Sequence, residues 1–284
     1  MTFVSYAQNY EDVMLWRVLK GVEQGFYIDI GANDPDIDSV TKAFYERGWS
    51  GLNVEPLDVH YQDFLEKRTR DLNLKIAVGE NAGEIDLWVP DIRGWATAEP
   101  SIVKKHISDG YAGNVHKVEV ITLAEIFEKH VSGDVHFLKI DVEGYEASVL
   151  KGANFDVDRP WVVVVEATLP ATQVENHKEW EGVLLGADYT LAYCDGLNRF
   201  YVANERAYLL PAFRYPPNVF DNYVPNFYVQ ADMRANVAEA RASMLESQLG
   251  QIINSRAWKI SKPLFWLERK LKLLKRRFLA YAKN

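Results

Sequence analysis

Short apolar runs and amphipathic runs alternate over about the first 200 residues of the chain. Phe26–Ile30 is a β-branched apolar run ending at a glycine, the pattern of a strand buried on both faces. Residues 39–47 then read as a helix stopped by Gly48, 51–54 as a second strand and 59–67 as a second helix. Residues 72–78 form a third strand, with the alternating run 84–89 as its hairpin partner. Residues 90–115 hold Pro, Gly and Trp without a period and read as an inserted loop carrying a short helix. The alternation resumes with a strand at 118–121 and a helix at 123–129 started by Thr122 as its N-cap. A strand at 135–140, a helix at 145–150, a strand at 161–165 and a helix near 178–185 follow. Residues 189–193 and 200–203 pair across Asp195-Gly196-Leu197-Asn198, whose Asp-Gly marks a hairpin. This order predicts an α/β fold: an open, mostly parallel sheet covered by helices and closed by an antiparallel hairpin.

Beyond residue 205 the pattern changes. Pro211, Pro216, Pro217 and Pro225 mark 206–227 as a linker or extended segment, so the first domain is expected to span 1–205. Residues 228–284 read as a helical tail. Met233, Val237, Ala240 and Met244, at 4-3-4 spacing, make 228–250 either a candidate coiled-coil seam between copies of the chain or a face that docks on the body. Pro263 is expected to split the remainder and leave 264–281 as a basic amphipathic helix.

Charge sharpens that division. Residues 251–284 carry ten Lys/Arg against one acid, Glu268, whereas the other 250 residues carry 22 against 39. An acidic body does not suit a nucleic-acid enzyme, so no nucleic-acid partner is expected. A basic helix bearing Trp266, Leu267, Leu271, Leu274 and Phe278 suits an anionic lipid interface, with docking on the acidic body or on a partner protein as the alternatives. The N-terminus lacks the basic and apolar stretches of a signal peptide, and no apolar run approaches the roughly 20 residues of a membrane span. The expected location is cytoplasmic, peripheral at the inner face of the cell membrane. The single cysteine, Cys194, excludes an internal disulfide, suits a reducing compartment and reads as a buried structural thiol.

In open α/β sheets a ligand sits beyond the carboxyl ends of the central strands, so the residues that end each strand carry the chemistry. The first strand ends in Asp29-Ile30-Gly31-Ala32-Asn33, where Gly31 permits a tight turn and close ligand approach. The glycines of a pyrophosphate-binding turn are missing; Asp34, Pro35 and Asp36 stand in their places. These acids would repel a pyrophosphate but can accept the ammonium of S-adenosylmethionine. Glu55 ends the second strand, where a carboxylate can accept both ribose hydroxyls. Ala77 and Val78 leave a slot for an adenine ring. Asp141 and Glu143 follow the strand at 135–140, and Glu166 follows four valines.

Four blocks resemble the signature segments of FkbM-type methyltransferases. They are Ser5-Tyr6-Ala7-Gln8-Asn9-Tyr10-Glu11-Asp12, Tyr27-Ile28-Asp29-Ile30-Gly31-Ala32-Asn33, Asn53-Val54-Glu55-Pro56 and Lys139-Ile140-Asp141-Val142-Glu143-Gly144-Tyr145-Glu146. The resemblance covers about residues 5–203 and implies a class I, Rossmann-like methyltransferase fold using S-adenosylmethionine. It implies that Asp29, Gly31 and Glu55 hold the cofactor, with Gln8 near its aminoacyl end. The segment Asp195–Tyr201 is similar to a variant found beside polysaccharide-building enzymes, which makes a sugar or glycan intermediate the expected acceptor and glycan-assembly enzymes the expected partners. A sugar hydroxyl is weakly acidic, so a base must take its proton as the new bond forms. Asp141 is the expected base, with Glu143 or Glu166 orienting the acceptor. Alternatively Asp141 and Glu166 hold a divalent cation, although the spacing shows no third ligand. An NAD-dependent oxidoreductase shares the strand order and Glu55, and a non-catalytic scaffold working through the C-terminal helices is the other rival. His177 is the one histidine placed to reach an acceptor. Trp88, Trp95 and Tyr111 are candidates for stacking on sugar rings or for packing the insertion.

Overall fold

The computed structural model describes residues 2–92, 94–170 and 172–281. The chain divides into two units, Met1–Pro225 and Asn226–Asn284. The first begins with β1 (Phe3–Ser5), α1 (Glu11–Leu19), β2 (Phe26–Ile30), α2 (Lys42–Tyr45), β3 (Ser50–Val54), α3 (Asp58–Lys67) and β4 (Leu72–Leu74). A detour follows through β5 (Ala77–Val78), β6 (Gly83–Pro90), α4 (Pro100–Ser108) and β7 (Gly113–Ile121). Then come α5 (Leu123–His130), β8 (Phe137–Ile140), α6 (Glu146–Lys151), β9 (Val162–Glu166), α7 (Glu181–Gly186), β10 (Tyr189–Cys194) and β11 (Asn198–Ala203). A 3-10 stretch, Asn204–Phe213, and β12 (Tyr223–Pro225) end the unit.

The central sheet runs β10-β11-β9-β8-β2-β3-β4. Only β11 opposes its neighbours, β9 and β10; the other pairings are parallel. The chain steps from β2 through β3 to β4 on one side, then returns to lay β8 on the other side of β2. That reversal opens a crevice at the carboxyl ends of β2 and β8, where no connecting loop crosses. Side chains alternate across the sheet: Ile28, Ile30, Leu138, Ile140, Val163 and Val165 pack on one face. Tyr27, Phe137, Val162, Val164 and Phe200 pack on the other.

Several boundaries differ from those the pattern predicts. The helix expected at 39–47 is one turn, because the residues before it are spent on turns. Asp34 Oδ1 accepts from the Asp36 and Ile37 N–H groups, and Asp38 adopts a positive φ of 58°. The run 72–78 serves two sheets: β4 joins the central one, and β5 pairs with β7 in a three-stranded side sheet. The hairpin partner of β6 is β7, not the 72–78 run.

The first unit also extends past residue 205. Leu209 and Phe213 are buried, and β12 pairs in parallel with β1. Arg17 holds both oxygens of Asp221 at 2.6 Å and donates to the carbonyls of Ala212, Tyr215 and Pro216. A single half-buried guanidinium thus gathers a proline-rich segment whose sequence reads as a linker. Cys194 is exposed at the end of β10 rather than buried.

The second unit comprises α8 (Asn226–Asn254) and α9 (Arg256–Tyr281). Pro263 lies within α9 and does not split it; a lone proline removes one backbone donor, which the rest of a long helix tolerates. Met233, Val237 and Met244 are exposed along α8, and Ile260, Leu264, Leu267 and Leu271 along α9. The side chains of Leu274 and Phe278, part of the expected apolar face, lie outside the described residues. No helix among the described residues is long and apolar enough to cross a membrane.

Candidate functional site

The turn after β2 forms the floor of a cleft of about 430 Å³. Gly31 has a φ of 79°, and a Cβ there would fall 1.8 Å from the Asp141 carbonyl oxygen. The Gly31 and Ala32 N–H groups both donate to the Val54 carbonyl, at 3.1 and 3.0 Å. Only a residue without a side chain lets β2, β3 and the loop after β8 meet this closely.

Beneath the turn, β2 and β8 pair with Asp29 directly opposite Lys139. The Lys139 Nζ lies 3.4 Å from Asp29 Oδ1, 3.2 Å from Asp141 Oδ2 and 3.4 Å from the Gly31 carbonyl oxygen. Two carboxylates hold the ammonium above its ordinary pKa. Burial outweighs that attraction at Asp29, which is 1% exposed, and pushes its carboxyl up despite the nearby lysine.

Glu55 fastens the turn to β3. Its Oε2 accepts from the Asn33 N–H at 2.9 Å and its Oε1 from the Leu57 N–H at 2.7 Å. Burial pushes this carboxyl up to about 7. Each oxygen keeps a further lone pair, so the group can still accept from a ligand. Ile76, Ala77, Val78, Ile85 and Leu87, from the side sheet and the residue that leads into it, add an apolar wall to the cleft.

The N-terminal block is folded by its own acids. Asp12 accepts from the Ser5 hydroxyl at 2.7 Å and from the N–H groups of Tyr6 and Ala7 at 2.7 and 3.3 Å. Glu11 accepts from the Asn9 N–H and from Asn198 Nδ2, both at 2.8 Å. Burial pushes Asp12 up to about 6 and Glu11 to about 7. Their joint effect is to bring Gln8 to the cleft.

On the β8 side, Glu146 organises the loop. Its Oε1 accepts from the Val142 and Gly144 N–H groups at 3.1 and 3.0 Å, and the Thr97 hydroxyl donates to the Glu143 carbonyl at 2.8 Å. These bonds hold Glu143 at a φ of 52°, sparsely populated for a residue with a side chain. One oxygen each from Asp141, Glu143 and Glu166 then lies within 4.8 Å of the other two. Burial and the charge of Asp141 push Glu143 and Glu166 well above the usual carboxylate range.

Of the residues singled out in the sequence, Gln8, Gly31, Ala32, Asn33, Glu55, Ala77, Val78, Asp141 and Glu143 line the cleft. Asp29 and Glu166 do not; Asp29 lies under the turn, and Glu166, at the end of β9, brings one oxygen within 4.8 Å of oxygens of Asp141 and Glu143. Asp34 and Asp36 are occupied elsewhere, Asp34 in a turn and Asp36 in pairs with Lys42 at 2.5 Å and Lys67 at 2.9 Å. His177 is buried beside Glu175 and Glu181. Trp88 is buried and stacks on His106, packing the insertion, whereas Trp95 reaches the cleft. Sequence reasoning gave Lys139 and Glu146 no role. Their signal was a lysine alternating with apolar residues in a buried strand and a glutamate just beyond a glycine, and neither has meaning without the pairing register.

Among the described residues lining the cleft, Lys139 is the one cation, against Asp38, Glu55, Asp141 and Glu143. An acid-lined cleft with an apolar wall suits a cationic ligand carrying a flat ring better than a pyrophosphate. Residues 29–191 match a family model described as Methyltransferase FkbM domain. No curated protein matches the chain.

Proposed function

The chain belongs to the FkbM methyltransferase family, and from that premise we propose that it is an S-adenosylmethionine-dependent O-methyltransferase of class I architecture acting on a sugar hydroxyl. The acid-lined cleft at the point where strand order reverses carries this reading. Its volume falls within the range of small-molecule sites, and Glu55, the glycine cradle and the apolar wall fit an adenosyl group. Bound there, S-adenosylmethionine supplies a methyl group on a positively charged sulfur. Glu55 receives the ribose hydroxyls on its remaining lone pairs, and Ala77 and Val78 face the adenine. Gln8 and Asn33 orient the aminoacyl end. Asp141, at the open side of the cleft, takes the acceptor's proton while the oxygen–methyl bond forms and the sulfur–methyl bond breaks. Glu143 and Glu166 orient the acceptor, and Trp95 offers its ring to a sugar face. The dehydrogenase reading is not carried forward, because the matched family is one of methyltransferases.

Calorimetric titration tests this directly. One S-adenosylmethionine is expected to bind per chain and NAD is not. Glu55→Gln is expected to weaken binding about 10-fold, the loss of one hydrogen bond to a charged group. Wild-type affinity should improve as pH rises through about 7, where Glu55 ionises, and the variant should lose that dependence. Tighter binding of NAD, or an unchanged Glu55→Gln, would refute the assignment. Labelled S-adenosylmethionine incubated with surface-glycan intermediates, followed by mass spectrometry, identifies the acceptor.

A second reading concerns the tail. We propose that α9 lies on an anionic membrane surface, because cations crowd residues 251–284 while Trp258, Ile260, Leu264, Trp266 and Leu267 stay exposed. Each basic residue near such a surface contributes about 1 kcal/mol. Reversing Lys270 and Lys272 to Glu in the full chain should therefore cut co-sedimentation with phosphatidylglycerol vesicles at least about 10-fold. Equal pelleting of both proteins would rule this out.

A further inference from the structure

The carboxylates at the ends of β8 and β9 carry a further inference, which rests on the methyl-transfer reading only for its catalytic consequence. Asp141, Glu143 and Glu166 bring three oxygens within 4.8 Å of one another. Lys139 offsets one charge at most, since its Nζ is shared between Asp29, Asp141 and the Gly31 carbonyl. Glu166 is the informative member. It is 8% exposed, and its Oε2 has no hydrogen-bond partner among the described residues. Glu55, also buried, has an N–H on each oxygen. Glu166 instead turns toward two further acids, where either a cation or a shared proton can satisfy it.

We infer that Asp141, Glu143 and Glu166 form a binding site for one divalent cation that prefers oxygen ligands, Mg²⁺ or Mn²⁺. Mg²⁺ sits about 2.0–2.1 Å from each ligand oxygen, so the oxygens of one shell lie no more than about 4.2 Å apart, and the trio would need to draw together only slightly to hold it. The set is all carboxylate, with no sulfur or imidazole to favour zinc. One cation among three carboxylates would also replace their mutual repulsion with attraction. In methyl transfer the cation would bind the acceptor oxygen and lower the hydroxyl's pKa. With the cation bound, Asp141 would hold the metal rather than take the proton itself, and the proton would pass to solvent as the oxygen–methyl bond forms and the sulfur–methyl bond breaks.

The test uses the full chain, stripped with a chelator and dialysed, with neither S-adenosylmethionine nor acceptor present. Mn²⁺ is titrated at pH 7.5 and the free ion is followed by electron paramagnetic resonance. One Mn²⁺ per chain, displaced by Mg²⁺, is expected, with affinity lowered at least about 10-fold in Glu166→Gln and in Glu143→Gln. Calorimetric binding of S-adenosylmethionine to each variant shows that it is folded, and the variant that passes decides the question. Absence of bound Mn²⁺ at about 1 mM, or wild-type affinity in that variant, overturns the site. A variant more stable to heat than wild type, with Mn²⁺ raising the melting temperature of neither, also overturns it and assigns the trio to shared protons. If S-adenosylmethionine binds and Mn²⁺ does not, the cation site fails alone. If Mn²⁺ binds as expected but no labelled methyl reaches any glycan, the cation site stands and the acceptor reading fails.

Discussion

Replacing Lys139 by Met is expected to destabilise the first unit by about 3–5 kcal/mol, the penalty for leaving a buried charge without its partner. The methionine fills the volume of the lysine stem, so packing is nearly conserved and the loss is electrostatic. Asp29 would lose its cation in a site 1% exposed, and Asp141 would lose the ammonium 3.2 Å away. For a domain of this size the melting temperature should fall by roughly 10 °C. Thermal unfolding of Lys139→Met, Asp29→Asn and the double variant makes this a double-mutant cycle. The double variant should recover much of the loss, because Asn at 29 needs no countercharge and can hydrogen-bond with Thr41, whose hydroxyl lies 3.4 Å from Asp29 Oδ2. Additive losses in the two single variants would show that the cross-strand pair is not coupled as the geometry requires.

The second large effect is expected at Gly31. Gly31→Ala places a methyl group 1.8 Å from the Asp141 carbonyl oxygen while holding a non-glycine residue at a φ of 79°. The conformation costs about 1–2 kcal/mol and relief of the overlap about 1–3 more, so a loss of about 2–5 kcal/mol is expected. Gly48→Ala provides the comparison. That glycine also has a positive φ, 90°, but a Cβ there meets nothing within 4 Å, so only the conformational part applies. The excess of Gly31→Ala over Gly48→Ala therefore measures the contact between the two turns. Because the displaced atom belongs to Asp141, binding of S-adenosylmethionine should fall by more than stability alone accounts for. Equal melting temperatures for the two variants would contradict the close approach.

Much of the site is legible in the sequence. Strand ends announce themselves where an apolar run stops on an acid or a glycine, which is how Gly31, Glu55, Asp141 and Glu143 were found, and all four line one cleft. The illegible part depends on which strands are neighbours. Residues 29 and 139 are far apart in sequence and meet only because β8 is laid beside β2, in register. Glu166 shows the same kind of ambiguity: the sequence sets two carboxylates at strand ends, and the third carboxylate of the cluster comes from a loop whose positive φ at Glu143 no periodicity reports. The split of 72–78 between two sheets was hidden because a short apolar run is equally suited to either.

The sequence by itself determined the alternation of strands and helices, the closing hairpin, the acids and glycine at the strand ends, and the separation of an acidic body from a basic tail. These are properties of neighbouring residues, and local periodicity, turn chemistry and charge record them. Tertiary structure alone decided that Lys139 would neutralise Asp29, that Arg17 would gather the proline-rich segment into the first unit, and that two carboxylates from the loop after β8 and one from the end of β9 would converge. Each is a long-range pairing in which burial strips water from a charge and makes its partner decisive. Which partner arrives is set by strand order, a feature no short stretch of the chain contains.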